Sequence, residues 1–124
     1  MNLGIISASR ALVEESWKQP DKWEANLTSA EAMLARALIE VPGHVLASTC
    51  LGAVLCDQGE HKKAVSVLLR AVELGSTDRN TYFNLGVAKM NCGEDEEAMA
   101  FFRRAESLQP SRLSWEAYFD PQAH

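Results

Sequence analysis

The side chains best suited to chemistry are three cysteines, Cys50, Cys56 and Cys92, and three histidines, His44, His61 and His124. A thiolate can attack a carbonyl, and thiolates with imidazoles can hold zinc. The spacing supports neither. Cys50 and Cys56 lie six residues apart and His61 five further on, so with His44 they match no tight zinc knuckle, and no two cysteines form CxxC. HExxH, GxSxG and Ser-x-x-Lys arrangements are missing. His44 lies in a Pro-Gly-His turn, His61 opens a helix, and Cys50 reads as a small buried apolar residue. The sequence therefore predicts a non-enzymatic protein with no metal and no cofactor.

An odd number of cysteines leaves one thiol free whatever the pairing, the pattern of incidental thiols in a reducing compartment. Met1–Arg10 lacks a basic leader and no apolar run reaches the ~18 residues that span a bilayer. The expected address is the cytoplasm, without membrane insertion, and the Asn26-Leu27-Thr28 sequon is then chance. Net charge is −5, and the longest basic runs are Lys62-Lys63 and Arg103-Arg104. Nucleic-acid binding needs concentrated cations to displace counterions from phosphate, so it is not expected.

The elements that would carry any function are helices. Ala (17) and Leu (14) supply a quarter of the 124 residues, which disfavours an all-β fold. Hydrophobic content of 47% is too high for a disordered chain. The chain also repeats itself. Leu51-Gly52 recurs as Leu85-Gly86, Gly59-Glu60 as Gly93-Glu94, Ala64 as Ala98, Arg70-Ala71 as Arg104-Ala105 and Leu74 as Leu108, always 34 residues on. A further step back reaches 11–44, where Ala30, Leu34, Arg36, Ala37 and Pro42 keep the register, but Trp17-Lys18 replaces Leu-Gly and Pro20 interrupts a helix interior. The spacing predicts an N-terminal helix over 3–18 and helices over 22–41, 45–57, 61–74, 78–91 and 95–108. Asp78 reads as an N-cap, Gly93 as a helix stop, and Glu94 to Glu97 as anions on a positive helix start.

This pattern resembles the tetratricopeptide repeat family. Residues 79–112 supply Tyr82, Leu85-Gly86, Gly93, Ala98, Phe102, Ala105 and Pro110; residues 45–78 depart from it at Ser48 and Ser76. The resemblance implies an all-α fold, a right-handed superhelical stack of antiparallel helix hairpins. Its parts are a degenerate repeat at 11–44, repeats at 45–78 and 79–112, and a capping helix over 111–120 built on Leu113, Trp115, Tyr118 and Phe119. Gly52 and Gly86 then serve close helix packing. Arg36, Arg70 and Arg104, at one repeat position near helix ends, read as dipole partners.

The family binds partners in a concave groove lined by the first helix of each pair. In this chain the groove positions hold Leu46, Thr49, Ala53, Cys56 and Asp57, then Asn80, Phe83, Asn84, Val87, Met90 and Asn91, with Leu12 and Glu15 from the first repeat. This lining is mostly apolar and suits a peptide or amphipathic helix of another polypeptide. The basic residues that let one subgroup grip a C-terminal carboxylate are missing. With 11–44 as the first repeat the clamp positions hold Glu15, Gln19, Cys50, Asn80 and Asn84, and with 45–78 as the first only Asn84 matches, so no carboxylate clamp is expected. The competing reading is a self-assembly module, a homo-oligomer whose groove or end faces are filled by its own tail or a second copy.

Overall fold

The computed structural model describes residues 3–117. Six helices follow in order: α1 (Leu3–Lys18), α2 (Trp23–Glu40), α3 (Val45–Asp57), α4 (His61–Glu73), α5 (Arg79–Asn91) and α6 (Asp95–Glu106), with a 3₁₀ turn at Pro20–Lys22 before α2. There is no strand among the described residues. The starts of α3 and α5 are 34 residues apart, as are those of α4 and α6.

Local chemistry accounts for these boundaries. Asp78 accepts a hydrogen bond from the Asn80 N–H at 2.9 Å and opens α5. At the other end Gly93 adopts φ 80°, which suits a residue without Cβ. The N–H groups of Gly93 and Glu94 then bond the carbonyls of Met90 and Lys89, closing the last turn. Asp95, Glu96 and Glu97 follow at the positive start of α6. His44 opens α3, its Nδ1 accepting from the Ala47 N–H at 3.2 Å.

The first pair departs from the register for a visible reason. Pro20 lacks an N–H and ends α1 early, and its ring opens the 3₁₀ turn that leads into α2. Asn26 of α2 reaches back to the Leu12 carbonyl at 3.0 Å, fixing the two helices together. Buried Ser9 and Ser16 are the small contact residues of α1, their hydroxyls bonded to the Ile6 and Val13 carbonyls.

Each helix packs on the next, and α3 packs on both α1 and α5; α2 and α4, or α4 and α6, do not pack directly. An arc with α1, α3 and α5 inside satisfies this pattern. α3 is the centre of the arc, with residues 47–56 all buried, and so it needs no polar stripe. Small residues set the spacing within each pair. A Cβ built on Gly52 would lie 2.3 Å from Leu68 Cγ, and one on Gly86 2.6 Å from the Phe102 ring. Leu68 is fully buried and has nowhere to go. Ser76 departs from the repeat pattern, and its buried hydroxyl bonds Thr81 at 2.7 Å, which in turn bonds Thr49 at 2.6 Å. A hydroxyl chain thus joins α3 to α5 where proline would have given only a stop.

Residues 111–117 are not helical, so the expected capping helix over 111–120 does not form in its described part; residues 118–120 lie outside the described residues. The physical reason is the use made of the backbone: its carbonyls and N–H groups from 111 onward bond to side chains of α1 and α5 instead of to each other.

Two outcomes are expected. Gly52→Ala should lower unfolding free energy by about 1–3 kcal/mol, since overpacking outweighs the helix-propensity gain; urea denaturation measures it. Burial holds the His44 imidazole below its ordinary value of 6.5. The folded chain therefore disfavours the protonated ring. The stability this confers is complete above 6.5 and is lost as pH falls through that value toward the lower folded one. The denaturation midpoint should fall between pH 7.5 and 5.5, and His44→Asn, which keeps a capping oxygen, should flatten that slope.

Candidate functional site

The inner face of the arc carries a segment of the chain itself. Residues 111–117 follow the loop after α6 and lie on α5, with α1 and α3 touching residues 112–114. Asp78 holds the first part: one carboxylate oxygen accepts from the Ser111 N–H at 3.0 Å and the other from the Ser114 hydroxyl. The same carboxylate caps α5. Ser114 Oγ also accepts from Asn80 Nδ2 at 2.9 Å. Arg10 of α1 donates to the carbonyls of Arg112 at 2.7 Å and Ser114 at 3.4 Å. The Cys50 thiol of α3 points at the Leu113 carbonyl at 3.8 Å.

Asn84 makes the central contact. Its Nδ2 donates to the Trp115 carbonyl at 3.0 Å and its Oδ1 accepts from the Ala117 N–H at 2.8 Å. One side-chain amide thereby satisfies both backbone groups flanking residue 116, the two that a neighbouring strand would take. Asn84 is fully buried, so these bonds work in a poorly solvated setting. Trp115 and Ala117 are 5% and 4% exposed and join the hydrophobic core of the arc. Glu116 between them points out and pairs with Arg79.

The eleven sequence-predicted groove residues of α3 and α5 divide into sets. Asn80 and Asn84 face the segment. Thr49 and Cys56 are buried in contacts with α5: Thr49 bonds Thr81, and the Cys56 thiol points at the Asn84 carbonyl at 3.6 Å. With the fully buried Ala53 they fill the α3–α5 contact. Neighbouring inner helices press side by side, so part of each inner face is spent on the next helix. By the 34-residue repeat, Phe83, Val87 and Met90 are the counterparts of these three at the end of the stack. Phe83 packs on Phe102 with centroids 5.4 Å apart, under the Arg79 guanidinium at 5.3 Å. Phe83 is half-buried and packs against the hydrophobic core, in which Val87 is fully enclosed. Asn91 bonds its own helix at the Val87 carbonyl, and half-buried Asp57 borders a cleft with Trp23 and Leu27 beyond α3. Leu46 borders a shallow hollow with Ser76 and Ser111.

Sequence reasoning missed Arg10, Asp78 and Arg79 as holders of the segment. The only signal was indirect: Asp78 is a helix cap with a second oxygen to spare. The thiols of Cys50 and Cys56 are pushed up from their ordinary range, chiefly by burial, and stay protonated. No three His, Cys, Asp or Glu side chains converge among the described residues. No helix there is long and apolar enough to cross a membrane.

A family model for the tetratricopeptide repeat matches residues 80–112. Together with six helices arranged as hairpins, this makes the chain a tetratricopeptide-type repeat protein, a helical-hairpin solenoid. Repeats of this type commonly mediate protein–protein interaction. No curated protein is similar enough to the chain to count as a match.

Removing the Asn84 amide should release the segment. In Asn84→Ala, trypsin should cut after Arg112 at least about tenfold faster than in the parent chain, because two buried hydrogen bonds at about 1 kcal/mol or more each are lost. Cleavage within the helices should be unchanged. A time course read by mass spectrometry checks both.

Proposed function

We propose that this chain is a non-catalytic, cytoplasmic module that binds a non-helical segment of a partner polypeptide on the inner face of α1, α3 and α5. The observation that carries the reading is the Asn84 amide bracketing residue 116. It grips main-chain groups that every polypeptide offers, beside a buried site for a large side chain. Residues 111–117 occupy this surface as a resident stand-in for the partner. The groove residues that matter most are then Asn80 and Asn84, supported by Asp78 and Arg10. The buried, protonated thiols of Cys50 and Cys56 suit a reducing compartment.

A second reading follows from the same contacts. The segment of one copy could seat on the inner face of another, giving a dimer by exchange. Sedimentation of the full chain over a range of concentrations separates the two: a monomer at all concentrations counts against exchange.

The binding test uses the full chain with Trp115→Ala, which loosens the resident segment. An end-blocked peptide with the sequence of residues 110–117 should bind it saturably in fluorescence anisotropy, and adding Asn84→Leu should abolish that binding. No saturable binding to the Trp115→Ala chain would sink the proposal.

A further inference from the structure

The segment seated on α1 and α5 is also a template for what this surface selects. Each of its last four described residues meets a different chemical demand. At 114 the side chain must donate to Asp78 and accept from Asn80 in a site that leaves Ser114 only 3% exposed. A hydroxyl does both. Alanine does neither, and a carboxylate would face Asp78 with like charge. At 115 the indole is buried in the core, so a large aromatic is required. At 116 the side chain points to solvent beside Arg79, which favours an acidic residue. At 117 the residue is buried with its N–H on Asn84, which suits a small side chain. The chain runs on past 117 to 124, so an occupant needs no free carboxylate there.

The resident segment is an imperfect fit. Buried Trp115 Nε1 and Asn80 Oδ1 have no hydrogen-bond partner among the described residues. An occupant whose aromatic carries no N–H, or that pairs Asn80 Oδ1, avoids that cost and competes with the resident segment.

We infer that the partner carries an internal hydroxyl–aromatic–acidic–small tetrapeptide, of the kind seen in Ser114-Trp115-Glu116-Ala117, and binds by displacing those residues from the groove. This rests on the proposed function and names the partner's chemistry. The resident segment then acts as a built-in competitor that sets a threshold for binding.

The test titrates end-blocked peptides of residues 110–117 against three full-length chains: wild type, Trp115→Ala and Ser114→Asp. The last opens the groove by repulsion from Asp78 while keeping the tryptophan, in case the first folds poorly. Both opened chains should bind the parent peptide at least about tenfold more tightly than wild type, because their own segment competes less. Against an opened chain, replacing the peptide's tryptophan with alanine should weaken binding about a hundredfold. Replacing its second serine (the counterpart of Ser114) with alanine should cost about tenfold, its glutamate with lysine about fivefold, and its alanine with leucine about thirtyfold. If all four substituted peptides bind within twofold of the parent, the tetrapeptide code is wrong although the groove still binds polypeptide. If wild type binds the parent as tightly as the opened chains do, the competitor role is wrong. If no peptide binds any chain, the proposed function itself fails.

Discussion

The missing side chains at Gly52 and Gly86 are the constraint on which the rest of this molecule depends. Each lets one helix of a pair press onto a bulky residue of the other, Leu68 in one case and Phe102 in the other. With that approach fixed, two hairpins of the same shape recur 34 residues apart, and equivalent inner helices come side by side. The inner surface follows from stacking equal units, since each unit alone buries too little to stand. A methyl group at either glycine would act on the spacing of every later element, not only on its own neighbourhood.

The inner surface works by polar specificity set within apolar burial. Asn80, Asn84 and Asp78 are sparse polar groups among small and apolar side chains, and each meets a defined partner on residues 111–117. Burial makes those bonds costly to leave unmade, so an occupant must present the right backbone groups and the right hydroxyl. The exposed ion pair of Arg79 with Glu116 adds little energy and mainly biases the choice of residue at one position.

Much of this was legible in the sequence, for reasons particular residues make plain. The 34-residue echo of Leu-Gly, Gly-Glu, Ala and Arg-Ala locates α3 to α6, because glycine stops and small contacts are local necessities. The break at Pro20 is legible too, since a ring without an N–H has few places in a helix. The site was less legible. Periodicity locates one face of a helix but does not divide that face between a groove and the next helix, so Thr49, Ala53 and Cys56 looked like lining when they are contact. A capping helix was expected from the place of this segment after the last repeat, whereas Leu113, Trp115 and Ala117 alternate with a period of two and tertiary hydrogen bonds hold their backbone out of helix. Asp78 was recognised as a cap, a role that uses one oxygen; that oxygen also takes the Ser111 N–H 33 positions away, and the other takes the Ser114 hydroxyl 36 positions away.

A solenoid ordinarily couples only adjacent units, and its ends are mechanically independent. Here Arg10 of the first hairpin and Asp78 of the third are tied to the same seven-residue strap. The two ties meet on residues 111–114, so the strap bridges the first and third hairpins at one place on the inner face. The placing of the two outer hairpins is therefore coupled to what occupies the inner face, and exchanging the resident segment for another would act on the array as well as fill a slot.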